Sequence, residues 1–469
     1  MAERKKVLVI GGGFSGLLCA RDLHKHFNVT VVDAKEFFEY TPGILRAYVK
    51  PGHFDALTFT VQSVLERKLH VKFLWGEVKT LDGENMTAQV KPMFATGGSL
   101  ETLSFDYCLI CSGCNFNPMA PKGESLWFPT VHEVGREVSE WPHLDERFIE
   151  GRRRHIIEEH YKLKGLNDQA ATILVAGAGF IGVEWATELA HFFPRLKLHI
   201  IDFLPNCLGP LPKRAADYCS KAMDRMGIKQ KYGVKYNPKE PQYWTGLGME
   251  KEPDLTYVCM GVKASNYFMP PEVLSDKGPG GGGWIHVNHF LQVTDKKKNV
   301  WGHGRIFAVG DCNQTFMDEI KPIPKISYPG EEQALHAVKS IQRAEKKYPC
   351  CPAGMCFAKW KSTSPMKTWW PWGAGMFATS LGPDDACFVL GATPEKGSGY
   401  MVLWGLLSVI QKEIIESSKV DECKGGFLGE WIWHYVHHTC CHCPLGQGVS
   451  SHCCPMLSCK DDGKMCGFC

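Results

Sequence analysis

Two glycine triplets at the ends of short apolar runs constrain this chain more than anything else in it. Val7 to Ile10 are continuously apolar and too few for a helix. Gly11, Gly13 and Gly16 follow in the spacing G-x-G-x-x-G, and a helical pattern runs on from Leu17 to Leu23. Strand, tight turn and helix in that order have a physical purpose. Gly11 permits the sharp turn, Gly13 lets backbone approach a pyrophosphate, and Gly16 lets helix pack on strand, with the helix N-terminus facing the phosphate charge. The next strand, Val29 to Val32, ends in Asp33, whose carboxylate can accept hydrogen bonds from a ribose hydroxyl.

The same pattern recurs at Ile173 to Ala176, with Gly177, Gly179 and Gly182, a helix through Glu184 to Leu189, and a strand Leu198 to Ile201 ending in Asp202. An acid at Asp202 repels a 2′-phosphate, and Phe203, Leu204 and Pro205 bring no cation, so NADH is favoured and NADPH is the second choice. A third signal is Arg305 to Gly310, an apolar strand that delivers Gly310 and Asp311 into a turn before a new helix.

At 469 residues and 44% hydrophobic content the chain is long enough for two cores. Its 53 basic and 50 acidic residues leave +3, with no polybasic field for nucleic acid. The first strand begins at Val7, too early for a secretory signal, so a cytoplasmic protein is expected. No apolar run reaches 18 residues, and Tyr400 to Ile410 is too short to span a bilayer.

In their order along the chain, these motifs resemble the two-dinucleotide-domain flavoproteins, the pyridine nucleotide-disulfide oxidoreductase superfamily. The resemblance spans about residues 5 to 345. It implies an α/β fold of two Rossmann-like domains, FAD held by the first glycine set and by Asp311 on its ribityl chain, and NADH held by the second set. Tyr107 to Gly113 resembles the strand-end A-T-G turn of the family, with Cys111-Ser112-Gly113 in its place, and Val258 to Gly261 resembles the counterpart in the NAD domain. The implied layout is an FAD domain of residues 1–125 and 285–348, an NAD domain of 126–284, a C-terminal α+β cap of 349–438 and a Cys-rich tail of 439–469. A return strand is expected from Trp284 to Val293.

Family disulfide reductases carry a close cysteine pair beside the flavin, and none occurs between Phe37 and Tyr48. Cys111 and Cys114 have C-x-x-C spacing but lie on a strand-end turn, where a structural role is the simpler reading. Lys325 within Pro324 to Tyr328, the helical run Gln333 to Ile341 and the stretch Thr379 to Asp385 resemble the ferroptosis-suppressor relatives of apoptosis-inducing factor and also type II NADH dehydrogenases. That resemblance implies an NAD(P)H:quinone oxidoreductase, with Lys325 beside the flavin, Glu184 near the nicotinamide, and a quinone or other small molecule as acceptor. Glu332-Gln333 departs from the paired glutamines of the type II enzymes.

Beyond residue 345 the composition changes. Cys350, Cys351, Cys356, the cluster Trp369, Trp370 and Trp372, and an apolar stripe from Met401 to Ile410 suit a membrane interface, a dimer contact or a core. Eight of the 21 cysteines fall between Cys440 and Cys469. S-acylation, metal binding and a C-terminal dithiol at Cys466 and Cys469 are three readings of that tail, with S-acylation of a peripheral membrane protein first. A flavin-bearing redox-sensing or assembly subunit and a thiol/disulfide reductase are the alternative functions.

Overall fold

The computed structural model describes residues 3–94, 99–116, 146–209, 211–240, 242–260, 262–278, 281–315, 323, 325–345, 366, 369, 376–390 and 401–439. Gly261, Pro324, Cys350, Cys351, Cys356, Trp370, Trp372 and the cysteine tail lie outside these residues.

Runs of β-branched and aliphatic residues bounded by glycine turns make strands that can be covered on both faces. Lys6–Ile10 is such a strand, with Val7, Leu8, Val9 and Ile10 all buried. It sits inside a seven-stranded sheet in the order Ile306–Ala308, Tyr107–Ile110, Lys6–Ile10, Asn28–Asp33, Lys72–Asp82, Thr87–Pro92, Glu101–Ser104. The first five are parallel neighbours, with Val7 beside both Val29 and Tyr107; the last two pair antiparallel. Because Ile306–Ala308 joins the sheet beside Tyr107–Ile110, a segment from late in the chain completes the first fold.

A second, four-stranded parallel sheet has the order Lys229–Tyr232, Lys197–Asp202, Thr172–Ala176, Leu255–Val258. Its first helix, Phe180–Phe192, buries Val183, Trp185, Ala186 and Leu189, each worth roughly 1–3 kcal/mol of apolar burial. A third, antiparallel sheet of Met376–Ser380, Ala386–Leu390 and Met401–Trp404 carries two packed helices, Leu406–Cys423 and Phe427–Thr439.

Buried polar contacts join these parts. Arg152, on the helix Ile149–Asp168, is fully buried and donates to both oxygens of Glu39 at 2.8 and 3.3 Å and to the Tyr48 hydroxyl at 2.9 Å. Asp385 accepts from the Tyr218 hydroxyl at 2.8 Å, which clasps the cap turn to the helix Lys213–Arg225.

One expectation is corrected. The return strand Trp284 to Val293 is only Ile285–His286 plus the bridge of Val287 to Val293, because Asn288 folds the intervening chain into a turn by accepting from Phe290 N and Gln292 N. The apolar stripe Met401 to Ile410 divides at Gly405 into a strand and the start of a helix. The helix read from Gln333 to Ile341 extends over Ser327–Ala344.

Candidate functional site

The two glycine turns have the same construction. Gly11 and Gly177 adopt φ of +107° and +111°, a region closed to most side chains. Their amides donate to Val32 O and Ile201 O, each at 2.8 Å. A Cβ on Gly16 or Gly182 would stand 1.8 Å from the carbonyl oxygen of Gly11 or Gly177, so helix and turn touch only through glycine. Around Gly13 and Gly179 a Cβ would meet nothing within 4 Å, which leaves open backbone where a ligand approaches.

The acids at the second strand ends have a further task that spacing did not disclose. Asp33 accepts from Gly12 N at 2.5 Å and Lys35 N at 2.8 Å; Asp202 accepts from Ala178 N at 2.6 Å and Leu204 N at 2.9 Å. Each carboxylate stitches its glycine turn to its strand end and retains lone pairs for a ribose hydroxyl.

A cavity of about 460 Å³ runs from the first glycine turn to the cap. Gly11, Gly13, Asp33, Gly113, Gly310, Asp311, Lys325 and Glu184 all line it. Gly16 lies behind the turn, and Gly177, Gly179, Gly182 and Asp202 form the second turn away from this wall, although Phe180, Ile181 and Glu184 of its helix reach the cavity. Size, open glycine backbone and hydroxyl-accepting carboxylates fit a flavin dinucleotide extended along the cleft.

Gly310 and Gly330 pack closely: a Cβ on Gly330 would stand 3.0 Å from Gly310 Cα. Gln333 fixes the turn above them, its Oε1 accepting from Gly310 N at 2.8 Å and from Asn313 Nδ2 at 2.7 Å. Asp311 is thereby held at the cavity, where burial pushes its carboxyl up to about 6 while the Lys325 ammonium pulls it down. Lys325 donates to Asn313 O at 2.5 Å and lies 4.9 Å from the Trp284 ring centre. The Cys111 and Cys114 thiols are both pushed well up, Cys111 by its contact with Cys19 and by burial, Cys114 by burial and by Asp311. That direction opposes a nucleophilic thiolate.

Sequence reasoning missed the cap's share of the site. Glu184, expected near the nicotinamide, is buried at the cavity wall, accepting from Lys412 Nζ at 2.6 Å and from Ser380 N at 2.8 Å. Lys412, Ile415 and Lys419 of the helix Leu406–Cys423 line the cavity with Glu331, Trp433 and Tyr40. Phe377 stacks on Phe180 with centroids 5.6 Å apart. The i, i+3, i+7 spacing of 412, 415 and 419 is visible in the sequence and marks one helix face, but not that this face points inward.

The pyridine nucleotide-disulphide oxidoreductase model matches residues 5–340. Apoptosis-inducing factor homolog B of Dictyostelium discoideum is 24% identical over 425 residues, covering 85% of this chain and 92% of that protein. A type II NADH:quinone oxidoreductase of Staphylococcus saprophyticus is 22% identical over 371 residues, covering 72% and 82%. Among solved structures, the sulfide:quinone oxidoreductase of Aquifex aeolicus shares the fold with a TM-score of 0.68 at 15% identity, over 96% of this chain and all of that one. Paired glycine turns, a dinucleotide-sized cavity and this match over most of the length lead to one conclusion: the chain belongs to the pyridine nucleotide-disulphide oxidoreductase family, and is an oxidoreductase with FAD and NADH as its cofactors.

Proposed function

We propose that this oxidoreductase takes hydride from NADH and reduces a quinone-type acceptor at a membrane surface. The observation that carries the reading is the inverted polarity of the cap helix Leu406–Cys423. A surface helix ordinarily turns its apolar stripe inward and its charges to water. Here Lys412 and Lys419 line the flavin cavity, while Leu407, Ile410 and Ile414 are exposed on another face. The next helix adds exposed Phe427, Leu428 and Trp431, and Phe427 is 84% exposed. Exposed apolar side chains of this kind, a tryptophan among them, suit a lipid surface, where a quinone dissolves. No helix among the described residues is long and apolar enough to cross a membrane. The quinone named for the Staphylococcus and Aquifex relatives supports the acceptor class.

In this reading residues 1–125 and 285–348 form the FAD domain and 126–284 the NAD domain, with 349–438 as cap. Gly11, Gly13, Gly16, Asp33, Gly113, Gly310 and Asp311 serve FAD; Gly177, Gly179, Gly182, Asp202 and Gly261 serve the nicotinamide nucleotide. NADH is preferred to NADPH because Asp202 opposes a 2′-phosphate. FAD, when bound, accepts the hydride and passes on two electrons. Lys325 stabilises the negative charge those electrons bring into the cavity, and Glu184, held by Lys412, orients the nicotinamide end. The test is NADH oxidation with a long-chain quinone embedded in vesicles. An Ile410→Glu/Ile414→Glu variant should lose vesicle-dependent turnover while its flavin is still reduced by NADH; undiminished vesicle turnover would count against the membrane reading.

A further inference from the structure

Lys419 is an unusual lysine: 3% exposed, and held by two carboxylates that are themselves buried. Its Nζ donates to Glu331 Oε2 at 2.6 Å and to Glu422 Oε2 at 2.5 Å, and lies 3.5 Å from the centre of the Trp433 ring. Arg21 extends the cluster, with Nη1 2.9 Å from Glu422 Oε1 and Nε 3.6 Å from Glu430 Oε1. Stability does not explain such a cluster. Desolvating each ion costs several kcal/mol, and apolar residues of similar size often do as well or better.

Its position does suggest a reason. Glu331 and Lys419 line the flavin cavity and also a second cavity of about 190 Å³ between the helix Phe14–Leu23 and the cap. Leu17, Leu18 and Leu69 form one side of that second space, and Arg21, Glu422 and Glu430 another. The Glu430 side chain is 47% exposed, so this space leads toward solvent. The ion cluster therefore stands between a cavity that opens toward solvent and the cavity fitted to the flavin. Titratable groups around it are Arg21 and its partner Asp22 from the first nucleotide helix, Glu331 from the helix Ser327–Ala344, Glu422 and Cys423 from the cap helix and Glu430 from the last helix; Tyr40 also feels the Glu331 charge, and Lys68 lines the second cavity.

Proton stoichiometry supplies the task. A hydride carries two electrons and one proton, whereas a quinone becomes a hydroquinone by taking two electrons and two protons. One proton per turnover must come from water. We propose that Glu331 is the catalytic residue that delivers this proton to the acceptor, with Lys419 and Glu422 as positioning residues that recharge it from the second cavity. The acceptor's O–H bond forms as the Glu331 O–H bond breaks. At rest Glu331 and Glu422 are the carboxylates that hold the Lys419 ammonium; Glu422 first takes a proton from solvent, the hydroxide leaving through the second cavity, and Lys419 takes that proton as it passes one of its own to Glu331. The electrons all come from NADH, so no further reductant is needed. This inference rests on the quinone reading above.

The test compares two acceptors on the flavin-loaded full chain: a soluble quinone, which needs protons, and ferricyanide, which does not. Wild-type turnover should show a solvent deuterium isotope effect with the quinone and none with ferricyanide. Glu331→Gln should lower the ratio of quinone-linked to ferricyanide-linked kcat by roughly 10²-fold, the scale of a lost general acid. Glu331→Asp should recover part of it, and Lys419→Met should move the ratio in the same direction as Glu331→Gln. An unchanged ratio in Glu331→Gln, or a wild-type quinone reaction without an isotope effect, overturns the relay while leaving the quinone reading intact. Wild-type protein that turns over ferricyanide but no quinone overturns the quinone reading, and the relay with it.

Discussion

Gly16 and Gly182 show how far one missing methyl group decides function. An alanine at either would place Cβ 1.8 Å from a backbone oxygen that cannot move without opening the turn. Gly16→Ala is expected to purify colourless, and Gly182→Ala to stay yellow but resist bleaching by NADH; flavin absorbance per protein and an anaerobic NADH titration check both. Asp311 sets a pH dependence. Burial pushes its carboxyl up to about 6, against the pull of the Lys325 ammonium. In the proposed reading a ribityl hydroxyl donates to it and favours the carboxylate, so flavin affinity should rise as pH increases through about 6 and weaken below. Asp311→Asn should flatten that profile in apoprotein titrations. The glycine turns were legible in the sequence because backbone geometry demands glycine at fixed offsets. The stitching of Asp33 and Asp202 to backbone amides was not, since a carboxylate's second partner leaves no mark in spacing.

At the scale of elements, the cap helix Leu406–Cys423 marks the limit of sequence reading. Its apolar and charged faces have the same period whichever of them is buried, so periodicity gives the helix but not its sidedness. Glu184 illustrates the consequence: its partner Lys412 is 228 residues away, and nothing in the spacing announces the pair. The helix Ile149–Asp168 depends on a comparable long-range pair. Arg152→Leu would strand the Glu39 carboxylate in the interior and should cost about 3–5 kcal/mol in denaturant unfolding, most of which the double variant Arg152→Leu/Glu39→Leu should recover.

Across the whole molecule, the first glycine turn, the helix after the second turn and the cap all line one cavity, although the two turns belong to separate sheets. Phe180 and Glu184 bring the second nucleotide fold to the cavity, and Met376–Ala378 with Lys412 and Lys419 bring the cap. The order of motifs made the entry side of this electron path readable, since each glycine turn announces a nucleotide. In the proposed reading the exit side is formed by the cap, where Lys412 and Lys419 carry no motif and reach the cavity only through packing. The path as a whole is tested most directly by anaerobic stopped-flow mixing, first with NADH and then with an acceptor. The expected result is loss of flavin colour on NADH addition and its return with a soluble quinone but not with a disulfide. Yellow protein that NADH does not bleach, or reduced protein reoxidised by the disulfide and not by the quinone, would contradict it.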